Sequence, residues 1–542
     1  MTPQVDSVIV NGRVRTLDEA GTVASALAVS DGVIVAVGRD DEILELAGDK
    51  TERIDAGGRA VLPAFIDSHT HLRRASLVLS YYIDFMGMRP TRLQEVLDAV
   101  RLQAERRPAG SWVQGDSLDP GRLDTGRFPT RWELDAVAPD HPVVVRGVGR
   151  HVAAANSLAL RIAGIDRDTQ DPPGGRLERA SDGEVTGVLH EHGKLRLDAT
   201  RSDTVIPIPT EEERVVAMRD TMALLHSYGI ACVHEMAREP NDVGDYLRLR
   251  EADGLGVRVR FYIRGLKAQT KLEWVTGLGL RSEFGDDWMR LGGVKFSIDG
   301  AESAHNAALY EDYPGEPGNT GLLRILPEEL NEVVGTAHRA GLQVAVHSIG
   351  QRAVDIALDA FELAQRTHPN ARLRHRVEHA YVPLNPGQLE RMAELGLMWS
   401  TQPAFMYSSG EEWASVFGAE RTQRALPCKT VAALGIPIQF NSDYPCSPMN
   451  PFIGLQTAVT RTTEQGNVFG ADEAISVDTA LRYMSAAASY STTNGRQGVL
   501  KPGNVADVMI LGRDPYEIPP DEIAGIQVAL TMVDGTAVYR KF

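Results

Sequence analysis

The spacing of apolar positions changes twice along the chain. Up to residue 60, short apolar or alternating runs are bounded by turn pairs. Ser7-Val8-Ile9-Val10 precedes Asn11-Gly12, and Ala26-Leu27-Ala28-Val29 and Val33-Ile34-Val35-Ala36-Val37 flank Asp31-Gly32. Strand-type runs broken by Asn-Gly or Asp-Gly predict hairpins. The same style returns near the C-terminus in Ala506–Leu511 and Val528–Tyr539. Chain ends tend to lie close together, so residues 1–60 and 491–542 are read as two parts of one discontinuous β-sandwich.

Residues 61–490 have another texture, in which near-continuous apolar runs are followed by helix-period segments. Candidate strands are 61–67, 230–234, 257–263, 292–298, 343–347, 374–378, 397–401 and 437–441, with amphipathic stretches such as Glu328–Ala340 and Ala353–Gln365 between them. Buried strands alternating with helices predict an α/β fold, a (β/α)8 TIM-type barrel. The long gap at about 75–225 carries its own strand, Pro142–Arg146, and reads as an insertion after the first barrel strand. Such an insertion is expected to sit over the barrel's catalytic face.

With 542 residues, the chain suits a large barrel plus a smaller module. A net charge of −17 argues against nucleic acid or an anionic membrane as the main partner. No run of about 18 apolar residues predicts a membrane span. Cys232, Cys428 and Cys446 are scattered without metal-type spacing, which suits a reducing compartment. The N-terminus lacks a basic start followed by an apolar core, so a cytoplasmic location is expected.

The chemistry gathers at strand ends. Val61-Leu62-Pro63-Ala64-Phe65-Ile66-Asp67-Ser68-His69-Thr70-His71 closes an apolar run with two histidines of one parity, so His69 and His71 can converge on one ion, with Asp67 a step deeper. His234, Lys295, His347, His379 and Asp443 stand within or just after later strands. Each alone has an ordinary explanation: a hydrogen-bonded structural histidine, an ion-paired lysine, an aspartate at a helix start. Five such choices after His-x-His point instead to a metal site. Tyr81, Tyr82, Phe85, Trp112, Phe405 and Tyr407 are candidate pocket aromatics, and His226, His338 and His368 are expected to be solvated.

This set resembles the amidohydrolase superfamily and, more narrowly, amidohydrolase family 3. The resemblance is carried by Pro63–His71, the Lys295 strand, His347-Ser348-Ile349-Gly350-Gln351-Arg352-Ala353, Arg376-Val377-Glu378-His379-Ala380, Asn441-Ser442-Asp443-Tyr444-Pro445 and Gly503–Val508. It implies a binuclear site, with Zn²⁺ as the cofactor and two ions per chain. His69 and His71 would hold one ion and His347 and His379 the other, and a carboxylated Lys295 would bridge them. It also implies that Asp443 is a ligand that handles the proton while metal-bound hydroxide attacks a carbonyl, and that His151 binds substrate. Gln351 and Arg150 depart from the family pattern and are read as substrate-side changes.

The implied reaction is hydrolysis of a C–N bond in a small molecule, an N-substituted formamide or related amide. A cyclic amide, carbamate or ester is the alternative on the same site. A catalytically silent small-molecule binder would lack Asp443 or the histidines, and all are present. A homodimer is expected by analogy with large barrels.

Overall fold

The computed structural model of the chain describes residues 5–541 apart from 151, 173–174, 198–203, 239–240, 266–270 and 491–494. Eight parallel strands form the central sheet in sequence order: β1 (Phe65–Thr70), β2 (Ile230–Glu235), β3 (Arg258–Arg264), β4 (Met289–Ser297), β5 (Gln343–Ser348), β6 (Arg376–His379), β7 (Met398–Thr401) and β8 (Ile438–Phe440). Their registers are parallel throughout. Parallel strands need crossover connections. The helices Pro327–Arg339 and Gln351–Thr367 flank β5 and bury Leu330, Val333, Val334, Val354, Leu358 and Phe361. Each such side chain, fully buried, contributes about 1.5–3 kcal/mol.

The seam between β8 and β1 is closed mostly by hydrogen bonds from the residues just beyond β8. Ser68 Oγ donates to the Phe440 carbonyl at 3.2 Å, and the Asp443 amide donates to the His69 carbonyl at 2.8 Å. The amide and hydroxyl of Ser442 both donate to Asp67, at 3.0 and 2.5 Å. The seam thereby brings the residues after β8 onto the end of β1.

The run read as one strand at 61–67 is divided. Ala60–Pro63 belongs to a six-stranded sheet, where it pairs antiparallel with Val508–Leu511 and parallel with Arg13–Arg15. After Ala64 the chain enters β1. A second sheet joins Val33–Gly38, Ala26–Ser30, Ser7–Val10 and Glu52–Asp55. Ile9, Leu27, Ile54, Val61, Ile510 and Leu530 share a core, so both ends of the chain build one module.

Asp31-Gly32 turns a hairpin with φ of 50° and 72°. Asn11-Gly12 does not, because Ser7–Val10 and Arg13–Arg15 lie in different sheets. Gly12 is there for close approach, since a Cβ on it would sit 2.8 Å from Val61 Cγ2.

The insertion forms its own six-stranded sheet, Ile83–Asp84, Val113–Leu118, Val143–Gly147, Val152–Ala155, Val185–Glu191 and Gly175–Arg179 in spatial order. It is fastened to the barrel by buried charge. Asp116, wholly buried, accepts from Arg74 Nη2, on the helix that follows β1, at 2.8 Å, and is held in place within the insertion by Arg150 Nε at 2.9 Å. Among the described residues, no helix is long and apolar enough to cross a membrane.

Candidate metal centre

In β1 the side chains of Asp67 and His69 point into the barrel, and His71 follows where the strand gives way to the helix Leu72–Tyr81. Asp443 adopts φ 49° just past β8, which aims its carboxylate back toward β1. Asp443 Oδ1 lies 3.4 Å from His71 Nε2 and 3.6 Å from His69 Nε2. One ligand atom from each of these three residues falls within 4.8 Å of the other two.

Asp443 Oδ1 is buried and has no hydrogen-bond partner. A buried carboxylate oxygen in that condition is costly unless a cation meets it. Two imidazoles and one carboxylate also form a donor set suited to a borderline divalent ion. The residues therefore fit a metal.

Lys295, buried in β4, places Nζ 3.3 Å from His69 Nε2. Burial pushes its ammonium down to about 8. Burial, reinforced by the nearby Lys295 charge, pushes the His69 imidazole down to about 3, so it is a neutral donor at physiological pH. Asp67 lies below, committed to Ser442, and burial raises its carboxyl to about 6.

His347 and His379 adjoin the same space, their rings 4.5 Å apart. Their free nitrogens are set by neighbours: His347 Nε2 is 3.1 Å from the Gly300 carbonyl, and His379 Nδ1 is 2.9 Å from Gln402 Oε1. In a regular strand, His379 would face away from its neighbour Glu378. Positive φ at His379 and Ala380, 72° and 47°, turns it inward.

The centre opens into a cavity of about 420 Å³, within the usual range for small-molecule sites. Its outer wall comes from the insertion, through Phe85, Met86, Leu118, Phe128 and Val148, opposite Phe405 after β7. Of the six candidate aromatics, Phe85 and Phe405 line it.

A family model described as the amidohydrolase family matches residues 52–539. The chain belongs to the amidohydrolase family. The N-substituted formamide deformylase of Arthrobacter pascens is 31% identical over 100% of this chain and 99% of that protein. Solved structures of uncharacterized metal-dependent hydrolases superpose with TM-scores of 0.74 for Pyrococcus furiosus and 0.76 for Pyrococcus horikoshii. They are 28% and 27% identical, covering 94% and 95% of this chain and 100% and 99% of theirs. The protein is a metal-dependent hydrolase of carbon–nitrogen bonds.

His151, expected to bind substrate, lies outside the described residues. Elsewhere this amidohydrolase departs from the sequence reading in several places. Gln351 does not face the cavity: its side-chain amide donates to the Pro383 carbonyl at 2.7 Å and holds the chain after β6. Arg150 is spent on Asp116 and serves the insertion. His338 and His226 are buried rather than solvated, because His338 Nδ1 meets His375 Nε2 at 2.8 Å and His226 Nε2 meets the Gly256 carbonyl at 2.8 Å. His234, one of the strand-end candidates, accepts from Arg376 Nη1 at 3.1 Å, is stacked on Tyr262 and does not line the cavity.

Sequence reasoning passed over Glu378, which accepts from His69 Nδ1 at 2.6 Å with no solvent exposure. The signal was there. Arg376 and Glu378 are oppositely charged residues two apart in a fully buried strand, Arg376–His379, and such residues share one face.

Proposed function

We propose that this amidohydrolase cleaves the C–N bond of a small N-substituted amide, of the formamide type, and that His69, His71 and Asp443 hold its metal. The observation that carries the reading is Asp443 Oδ1, buried without a hydrogen-bond partner and facing two imidazole nitrogens at the floor of the cavity. Zinc, the ion we assign, supplies Lewis acidity and lowers the pKa of water to about 7.

The chain's own groups do the rest. Asp443 takes the proton from the attacking water and returns it to the leaving nitrogen as the C–N bond breaks, the two halves of general acid–base work. Phe85, Met86, Leu118 and Phe128 give the substituent on nitrogen an apolar wall. His151 binds substrate in this reading. The full-length likeness to an N-substituted formamide deformylase supports the substrate class.

Lys295 is assigned as a carbamate. Its neutral amine would add to CO₂: the N–C bond forms as one C=O π bond opens to C–O⁻, and a proton from nitrogen passes to solvent, leaving a carbamate anion. That anion would be shared between the first ion and a second one on His347 and His379. His347 and His379 would hold that second ion, each through the nitrogen its hydrogen bond leaves free.

The test is turnover of an N-substituted formamide, a cyclic imide and an aryl ester by purified protein whose metal content has been measured. The expected result is hydrolysis of the formamide with about two ions per chain. Absence of bound transition metal, or turnover of the ester alone, overturns the reading.

A further inference from the structure

Beneath the candidate metal centre, a chain of buried polar groups crosses the barrel from β1 to β7. The Nδ1–H of His69 donates to Glu378 Oε2 at 2.6 Å, and Glu378 Oε1 forms an ion pair with Arg376 Nε at 2.6 Å. Neither Glu378 nor Arg376 has any exposed side-chain surface. Arg376 Nη2 donates to the Ser68 carbonyl at 2.7 Å and to Ser400 Oγ at 3.0 Å, and its guanidinium lies 4.5 Å from the centroid of the Tyr262 ring. Asn441 Nδ2 donates to the same Ser400 hydroxyl at 3.0 Å. Gln402 Nε2 donates to Asn441 Oδ1 at 2.6 Å, and Gln402 Oε1 accepts from His379 Nδ1 at 2.9 Å.

Both ends of this chain are imidazoles whose Nδ1 is held by an oxygen. An oxygen at Nδ1 fixes the proton there and leaves the Nε2 lone pair free for a metal. At His69 the oxygen is an anion, and the guanidinium beside it fixes which way the carboxylate faces. An ion pair this deep is costly to bury and is retained for what it orients.

We propose that Glu378 is a positioning residue: clamped by Arg376, it holds His69 as the Nδ1–H tautomer and directs Nε2 into the centre. The proposal rests on His69 being a metal ligand. It makes an unusual prediction for a substitution that preserves shape. In Glu378→Gln the carboxamide cannot place its NH₂ against the guanidinium, because its partly positive hydrogens would stand against a full cation in the place of Oε1, 2.6 Å from Nε. Its oxygen therefore turns to Arg376 and its NH₂ to His69 Nδ1. That donor drives the imidazole proton to Nε2 and removes the lone pair a metal needs. Glu378→Asp keeps the charge for Arg376 but draws the acceptor back from Nδ1 by one methylene.

The experiment measures Zn²⁺ affinity of the chelator-stripped full chain, by competition with a chromophoric chelator. It is run on the wild type, Glu378→Gln and Glu378→Asp, with the melting temperature of each metal-free protein alongside. The expected result is affinity weakened about 10–100-fold in Glu378→Gln, and less in Glu378→Asp, with metal-free melting temperatures close to the wild type. Cobalt-loaded protein is expected to show a shifted visible spectrum in Glu378→Gln. Wild-type affinity in either folded variant overturns the proposal, and if Glu378→Gln does not fold, Glu378→Asp decides. Failure of the wild type itself to bind Zn²⁺ overturns instead the assignment of His69 as a ligand.

Discussion

Ser117 Oγ donates a 2.9 Å hydrogen bond to the carbonyl of Pro445, two residues beyond Asp443. The insertion thus grips the loop that carries the candidate catalytic carboxylate. A buried bond of this kind contributes about 0.5–1.5 kcal/mol. Ser117→Ala is expected to lower kcat by up to about tenfold, since tenfold corresponds to about 1.4 kcal/mol. The melting temperature of so large a chain should move by about 2 °C or less. Steady-state kinetics beside calorimetry check it, and a large loss of stability with unchanged kcat would refute the coupling.

Asp443→Asn keeps an oxygen near the imidazoles and abolishes the proton acceptor. Turnover is expected to fall by about 10²–10⁴-fold, while metal content stays near the wild-type value. Elemental analysis and kinetics on one preparation decide it. Near-normal turnover would exclude Asp443 from proton transfer.

Glu412 gives a prediction in pH. Burial, aided by Asp119 and then Glu302, raises its carboxyl from 4.5 to about 8. Between those values the folded chain holds the proton more tightly than the unfolded chain, so this group's contribution to stability declines as pH rises through the window. Glu412→Gln removes the decline. Its melting temperature should exceed that of the wild type at about pH 9 and match it at about pH 4. A difference of equal size at both pH values would rule this out.

Lys295→Met removes the amine but keeps the apolar stem. It is expected to bind about one ion fewer per chain and to lose at least about 10²-fold in kcat, the scale of one lost electrostatic contact to the reacting group. Stripped wild-type protein should regain activity with zinc plus bicarbonate and fail to do so with zinc in CO₂-free buffer. Full recovery without CO₂ would show that Lys295 works as a plain amine.

Phe128 packs against Gly147, where a Cβ would come within 2.7 Å of its ring. Phe128→Ala is expected to raise KM for amides with a bulky apolar N-substituent by about tenfold, as 1–2 kcal/mol of contact is lost. KM for small N-alkyl amides should hardly change. Equal effects on both would place the substituent elsewhere.

The barrel was legible because short buried runs alternate with helix-period segments, and a polar residue closing an apolar run stands out, as His347 does after Val344-Ala345-Val346. His379 was picked by its place at a strand end rather than by contrast, since its strand is mostly polar. Glu378 was not, because it lies inside the strand and its role appears only when His69, distant in sequence, closes over it. The inward turn of His379 rests on a positive φ that no propensity of histidine announces. The split at Ala64 was hidden for a related reason. A sandwich strand and a barrel strand are both buried, and hydrophobicity alone cannot tell which sheet receives each half.

One residue, Ala64, separates the sandwich strand Ala60–Pro63 from the barrel strand that carries His69. The terminal module and the strand that carries His69 are therefore joined without a loop between them. Met509 and Leu511 of the partner strand Val508–Leu511 are buried in the same core as the barrel residues Phe65, Ile230 and Val259, so the terminal strand and the barrel are packed as one unit. The Ala64 amide, between the two strands, donates to the Asp507 carbonyl at 3.0 Å, so the segment that enters the barrel is pinned to the C-terminal part of the chain five residues before His69.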